Sequence, residues 1–141
     1  MTLNRSLSAE KRHKIALIRE ALGKSDGHLH SYMVRLDQLD RSAKQDVTRD
    51  VSSQQVRILD NIHDELLRSL QRLGALNTGL HAQEDLRKAL IDTAAGYAAW
   101  SFAMSSRNLS EIASSQARMH RHFDAAADYG ERGTSRLERG I

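Results

Sequence analysis

No proline occurs anywhere in the chain, and no glycine falls between Gly27 and Gly74. These are the two residues that break or loosen a helix, so nothing in that interval forces the backbone to turn. Within it, Leu29, Tyr32, Leu36, Leu39, Ala43, Val47, Val51, Ile58, Ile62, Leu66 and Leu73 recur at helical steps, with Gln55 and Ser69 filling the two wider gaps. Spacing of three and four residues places them on one helical face. A long helix is predicted over 27–73, with a bend at the β-branched, polar stretch 47–53. About 45 residues at ~1.5 Å each make a rod of about 70 Å.

Shorter signals fill in the rest. Ser8 is placed to cap a helix over 8–22 that presents Ile15, Ile18 and Leu22 on one face and stops at Gly23. The stretch GALNTGLHAQEDL, residues 74–86, reads as a turn followed by a helix start, with Glu84 and Asp85 suited to the first turn. A second long helix is predicted over 81–128, carrying Leu86, Leu90, Tyr97, Trp100 and Met104, then Ile112, Met119, Phe123 and Ala126. It extends or frays to 138, because Gly130 and Gly133 weaken it. The predicted fold is all-α. A short N-terminal helix precedes a long antiparallel hairpin, which sets Val51 opposite Met104, Leu39 opposite Ile112, and Leu29 and Tyr32 opposite Phe123.

At 141 residues the chain fits a single domain with one core. It has no cysteine, which removes disulfides, thiolate metal sites and cysteine nucleophiles. The net charge of +3 is uneven: residues 1–24 carry six basic and two acidic side chains, while 25–106 carry nine and eleven. No signal peptide is legible at the N-terminus, and no apolar run approaches the ~18 residues of a membrane span. A cytoplasmic location is expected, with secretion lacking a cleaved signal peptide left open. Sixteen arginines to five lysines are in keeping with a bacterial, GC-rich source.

Between Asp92 and Arg107 lie fourteen uncharged residues, TAAGYAAWSFAMSS. Their large side chains, Tyr97, Trp100, Phe102 and Met104, do not share a face. At 100° per residue, Phe102 points about 160° from Trp100. A helix that is apolar all round is normally covered all round, and one antiparallel neighbour covers only a stripe. These four residues are therefore the candidate partner-binding set. Two hairpins completing a four-helix bundle, or a helical partner, would supply the cover.

Around His63 the chain reads RILDNIHDELLRSL, residues 57–70. This stretch resembles the phosphoacceptor and dimerisation helix of sensor histidine kinases. In that family the histidine takes the phosphoryl group and the following acid serves as base. The resemblance implies His63 as acceptor, Asp64 as its base, and a dimeric four-helix bundle as the setting. Leu67 and Arg68 stand where that family has glycine and glutamine. The residues after His63 are helical in character and carry none of that family's ATP-binding boxes, so the resemblance implies phosphotransfer and not kinase activity.

The other candidates are His28 with His30 and His120 with His122, which the predicted hairpin brings to one level as a conceivable metal site. Residues two apart on a helix point about 160° from each other, so at most one of each pair converges. The predicted first helix sets Lys11, Arg12, Lys14 and Arg19 opposite its apolar face, a candidate anionic-surface or nucleic-acid contact. Aromatics make up only 4% of the chain, leaving little for base stacking. The expectation is a non-enzymatic association protein without metal or cofactor, acting as an adaptor, chaperone, secretion-related or structural component. Phosphotransfer through His63 and anionic-surface binding through the first helix are its alternatives.

Overall fold

The computed structural model describes residues 7–25 and 53–141. Within them lie four α-helices and no strand: α1 (Ala9–Leu22), α2 (Ser53–Gly74), α3 (His81–Ser105) and α4 (Leu109–Glu138), with a short 3-10 turn at Gly23–Ser25. The fold is all-α, and α2 and α3 pack as an antiparallel hairpin about the 74–80 turn. Gln83 reinforces that turn by donating to the carbonyls of Leu73 and Leu76 at 3.1 and 2.9 Å, while its side-chain oxygen accepts from the Thr78 hydroxyl at 2.6 Å.

The single helix predicted over 81–128 is two helices. Ser106 is extended (ψ 146°) and Asn108 is the N-cap of α4, its side-chain oxygen accepting from the backbone N–H groups of Ser110 and Glu111 at 2.9 and 3.2 Å. The Ser106 hydroxyl donates to the Glu111 carboxylate at 2.9 Å and accepts from the Asn108 N–H at 3.2 Å. Short polar side chains here offer the backbone an alternative to the helical ladder, and the chain takes it. The chain then reverses, and α4 runs antiparallel to α3, with Phe123 on Gly96 and Leu86 on Gly133. The residues expected opposite Met104, Ile112 and Phe123, namely 29, 32, 39 and 51, lie outside the described residues, as does the predicted bend at 47–53.

Of the two expectations for the segment beyond 128, extension is what the structure has, since α4 continues to Glu138. Gly133 is buried, and a β-carbon there would stand 2.8 Å from Leu86 Cγ and 3.2 Å from Asp85 Cβ. It lets the two helices approach closely, which outweighs its weak helix propensity. Beside it Arg136 donates to the buried Asp85 at 2.8 Å.

At its start, α1 is capped by Ser8, whose hydroxyl accepts from the Lys11 N–H at 3.1 Å. It buries Ile15, Ile18, Ala21 and Leu22. Its last carbonyls, which no helical turn can satisfy, are taken by α2: Ser69 donates to Leu22 O at 2.8 Å and Arg72 to Ala21 O at 2.9 Å. Arg72 also pairs with Glu65 at 3.1 Å. Burial opposes ionisation of Glu65, but hydrogen bonds from Arg72 and Arg68 outweigh it and hold the carboxyl below its usual range. At the other end of α1, Leu7 lies against Gly140. So α1 spans from α2 to the C-terminal end of α4. The core joins all four helices through Ile18, Leu66, Leu73, Leu90, Trp100, Met119 and Leu137. No helix of the described residues is long and apolar enough to cross a membrane.

Candidate functional site on the third helix

The structure divides the four expected partner-binding residues. Tyr97 and Trp100 are buried, and Met104 is half-buried against the core. Their cover comes from the chain itself: His63 of α2 stacks on Tyr97, and α4 packs along α3 with Phe123 against Gly96. Phe102 is the exception, 47% exposed. With it on the outward side of α3 stand Ile91, 38% exposed, the exposed Ala98, and the half-buried Ala94 and Ala95. Positions 91, 95, 98 and 102 step by four, three and four, the spacing of a packing seam. No charge interrupts the stripe from 93 to 106. Leu109, the first residue of α4, is 82% exposed.

Beside Phe102, an open groove of about 400 Å³ runs along the α3–α4 seam, lined by Ser110, Glu111, Ser114, Ser115 and Arg118. Arg118 donates to Ser115 at 2.9 Å across its floor. The signal for this face was present in the sequence: the 91/95/98/102 spacing is complementary to that of the buried residues Thr93, Tyr97 and Trp100. Ile91 is a member that the sequence reading passed over.

His63 sits on α2 with its ring stacked on Tyr97, centroids 4.6 Å apart. Its Nδ1 is buried and has no hydrogen-bond partner among the described residues, and the same holds for Nε1 of Trp100, whose ring lies 5.9 Å from that of Tyr97. The Tyr97 hydroxyl donates to Asp60. Burial, then the bond to Asp60 and the charges of Asp60 and Asp64, push the phenol well above its ordinary range. Asp64 is exposed and makes no hydrogen bond to His63. This arrangement locks α2 to α3 through an aromatic stack.

His122 Nδ1 lies 3.0 Å from Asp92 Oδ1, joining α4 to α3. His28 and His30 lie outside the described residues, and among the described residues no three His, Cys, Asp or Glu side chains come together as a metal set. On α1, Lys14 pairs with Glu10 at 3.3 Å, while Lys11, Arg12 and Arg19 are exposed. Glu10 and Glu20 stand among these cations, so the helix surface is of mixed sign. No family model matches the chain, and no curated protein or solved structure is significantly similar to it.

Proposed function

We propose that this is a non-catalytic association protein of the bacterial cytoplasm, acting as an adaptor, chaperone, secretion-related or structural component through the outward face of α3. One observation carries the reading: along a seam-spaced, uncharged stripe Ile91, Ala98 and Phe102 are exposed and Ala95 half-buried, while the opposite face of the same helix fills the core. Single exposed apolar residues need no explanation, but a continuous stripe is what a helix presents to another helix. The small residues at its centre allow axes to close to ~8 Å.

The test is a photo-crosslinking side chain placed at Ala98 in cells that express the full chain, with the same group at exposed Arg121 on α4 as control. A discrete adduct of defined mass from position 98, absent from position 121, supports the reading. Recovery of the free chain alone from both positions overturns it.

A further inference from the structure

We propose that the occupant of this face is a second copy of the chain, its α3 antiparallel to the first about a two-fold axis passing between Ala95 and Ala98. This deepens the association reading and rests on it. The stripe is self-complementary in size: large residues, Ile91 and Phe102, stand at its ends and alanines at its middle. An antiparallel two-fold sets Ile91 against the partner's Phe102 and Ala95 against the partner's Ala98, so each layer joins complementary positions. A parallel pair instead stacks like on like, crowding the phenylalanines at one end and leaving space between the alanines.

Charge selects the same arrangement. The middle of the face carries none, so only an uncharged surface covers it without stranding an ion, and the stripe of a second copy is such a surface. Glu84, Arg87 and Lys88 flank one end, and Arg107 and Glu111 flank the other. Glu84 and Arg87 pair with each other at 2.5 Å and Lys88 lies over the Tyr129 ring; the antiparallel two-fold brings this end to the level of the partner's Arg107, so that Glu84 faces a cation and not a like charge. The symmetry is closed, so the contact ends at two copies.

The chain has no cysteine, so single thiols can be introduced without background. Lys88→Cys and Ser105→Cys flank the stripe and leave its apolar residues in place. In the two-fold pair, residue 88 faces the partner's residue 105, whereas two copies of residue 88 stand about 25 Å apart along the helix. A short bis-maleimide applied to an equal mixture of the two variants is expected to give a covalent dimer, with little from either variant alone. Adding Ala98→Arg to both is expected to abolish the product. Cross-linking of each variant alone, with no gain on mixing, overturns the antiparallel arrangement while the association reading stands. No product in any mixture, with a monomeric mass throughout, overturns the second copy as occupant. An adduct from position 98 to a different protein in the photo-crosslinking experiment then identifies the failure as one of occupant and not of face.

Discussion

Gly96 lies against the ring of Phe123: a β-carbon on residue 96 would stand 2.6 Å from Phe123 Cδ1. This contact sets the distance between α3 and α4, and the turn at 106–108 delivers the two residues to the same level. Gly96→Ala is expected to destabilise the fold by about 1–3 kcal/mol through overpacking, despite the ~1 kcal/mol that alanine gains in helix propensity. Chemical denaturation measures it. Combining it with Phe123→Leu is expected to cost less than the two single changes added together, because the ring is what the new methyl strikes.

One hydroxyl gathers several of the polar contacts that anchor α1. Ser69 is fully buried, gives its proton to Leu22 O, and accepts from Arg72 at 3.1 Å and from Ser25 at 2.9 Å. Ser69→Ala leaves these groups short of a partner and is expected to cost about 1–3 kcal/mol. Hydrogen exchange across Ala9–Leu22 is expected to accelerate more than across α3 and α4.

Tyr97 gives the fold an alkaline limit. Its folded pKa is raised above the ordinary 10.0. The protonated phenol is therefore favoured in the folded state, and its contribution is fully present below pH 10 and lost as pH rises beyond it. Unfolding free energy measured across this range is expected to fall more steeply for wild type than for Tyr97→Phe. At neutral pH the substitution is expected to cost about 0.5–1.5 kcal/mol for the lost bond to Asp60. A tyrosinate absorbance titration in which all the tyrosines ionise at the ordinary value contradicts the burial of this hydroxyl.

Asn108 is the hinge that turns one expected helix into two. Asn108→Ala is expected to cost about 1 kcal/mol through the lost N-cap. Asn108→Asp retains the accepting oxygen, adds charge at the helix's positive end, and is expected to match or exceed wild type in thermal denaturation.

What the sequence revealed and concealed follows from the kind of signal each feature carries. The 74–80 turn was legible because Gly74, Asn77, Thr78 and Gly79 disturb both periodicity and conformational preference. The 106–108 turn has no glycine or proline, and its only mark is a capping pattern, Asn108 followed three residues later by Glu111. Without that turn the sequence shows no second helix returning along α3, and the stack of His63 on Tyr97 is a contact between helices that periodicity does not encode. Within the all-round apolar run 93–106, Ala98 and Phe102 are exposed while Tyr97 and Trp100 are buried. Gly133 was read by propensity alone as a point of fraying. Its value lies in the close packing against Leu86, which one-dimensional periodicity does not encode.

Sedimentation equilibrium of the full chain up to about 1 mM tests the central claim most directly. That range detects an association of about −4 kcal/mol or stronger. The expected result is a concentration-dependent rise toward twice the 15.8 kDa chain mass, with Ala98→Arg remaining a folded monomer by circular dichroism. A wild-type mass that stays monomeric across the whole range, or a dimer unchanged by Ala98→Arg, contradicts the claim that the outward face of α3 joins two copies.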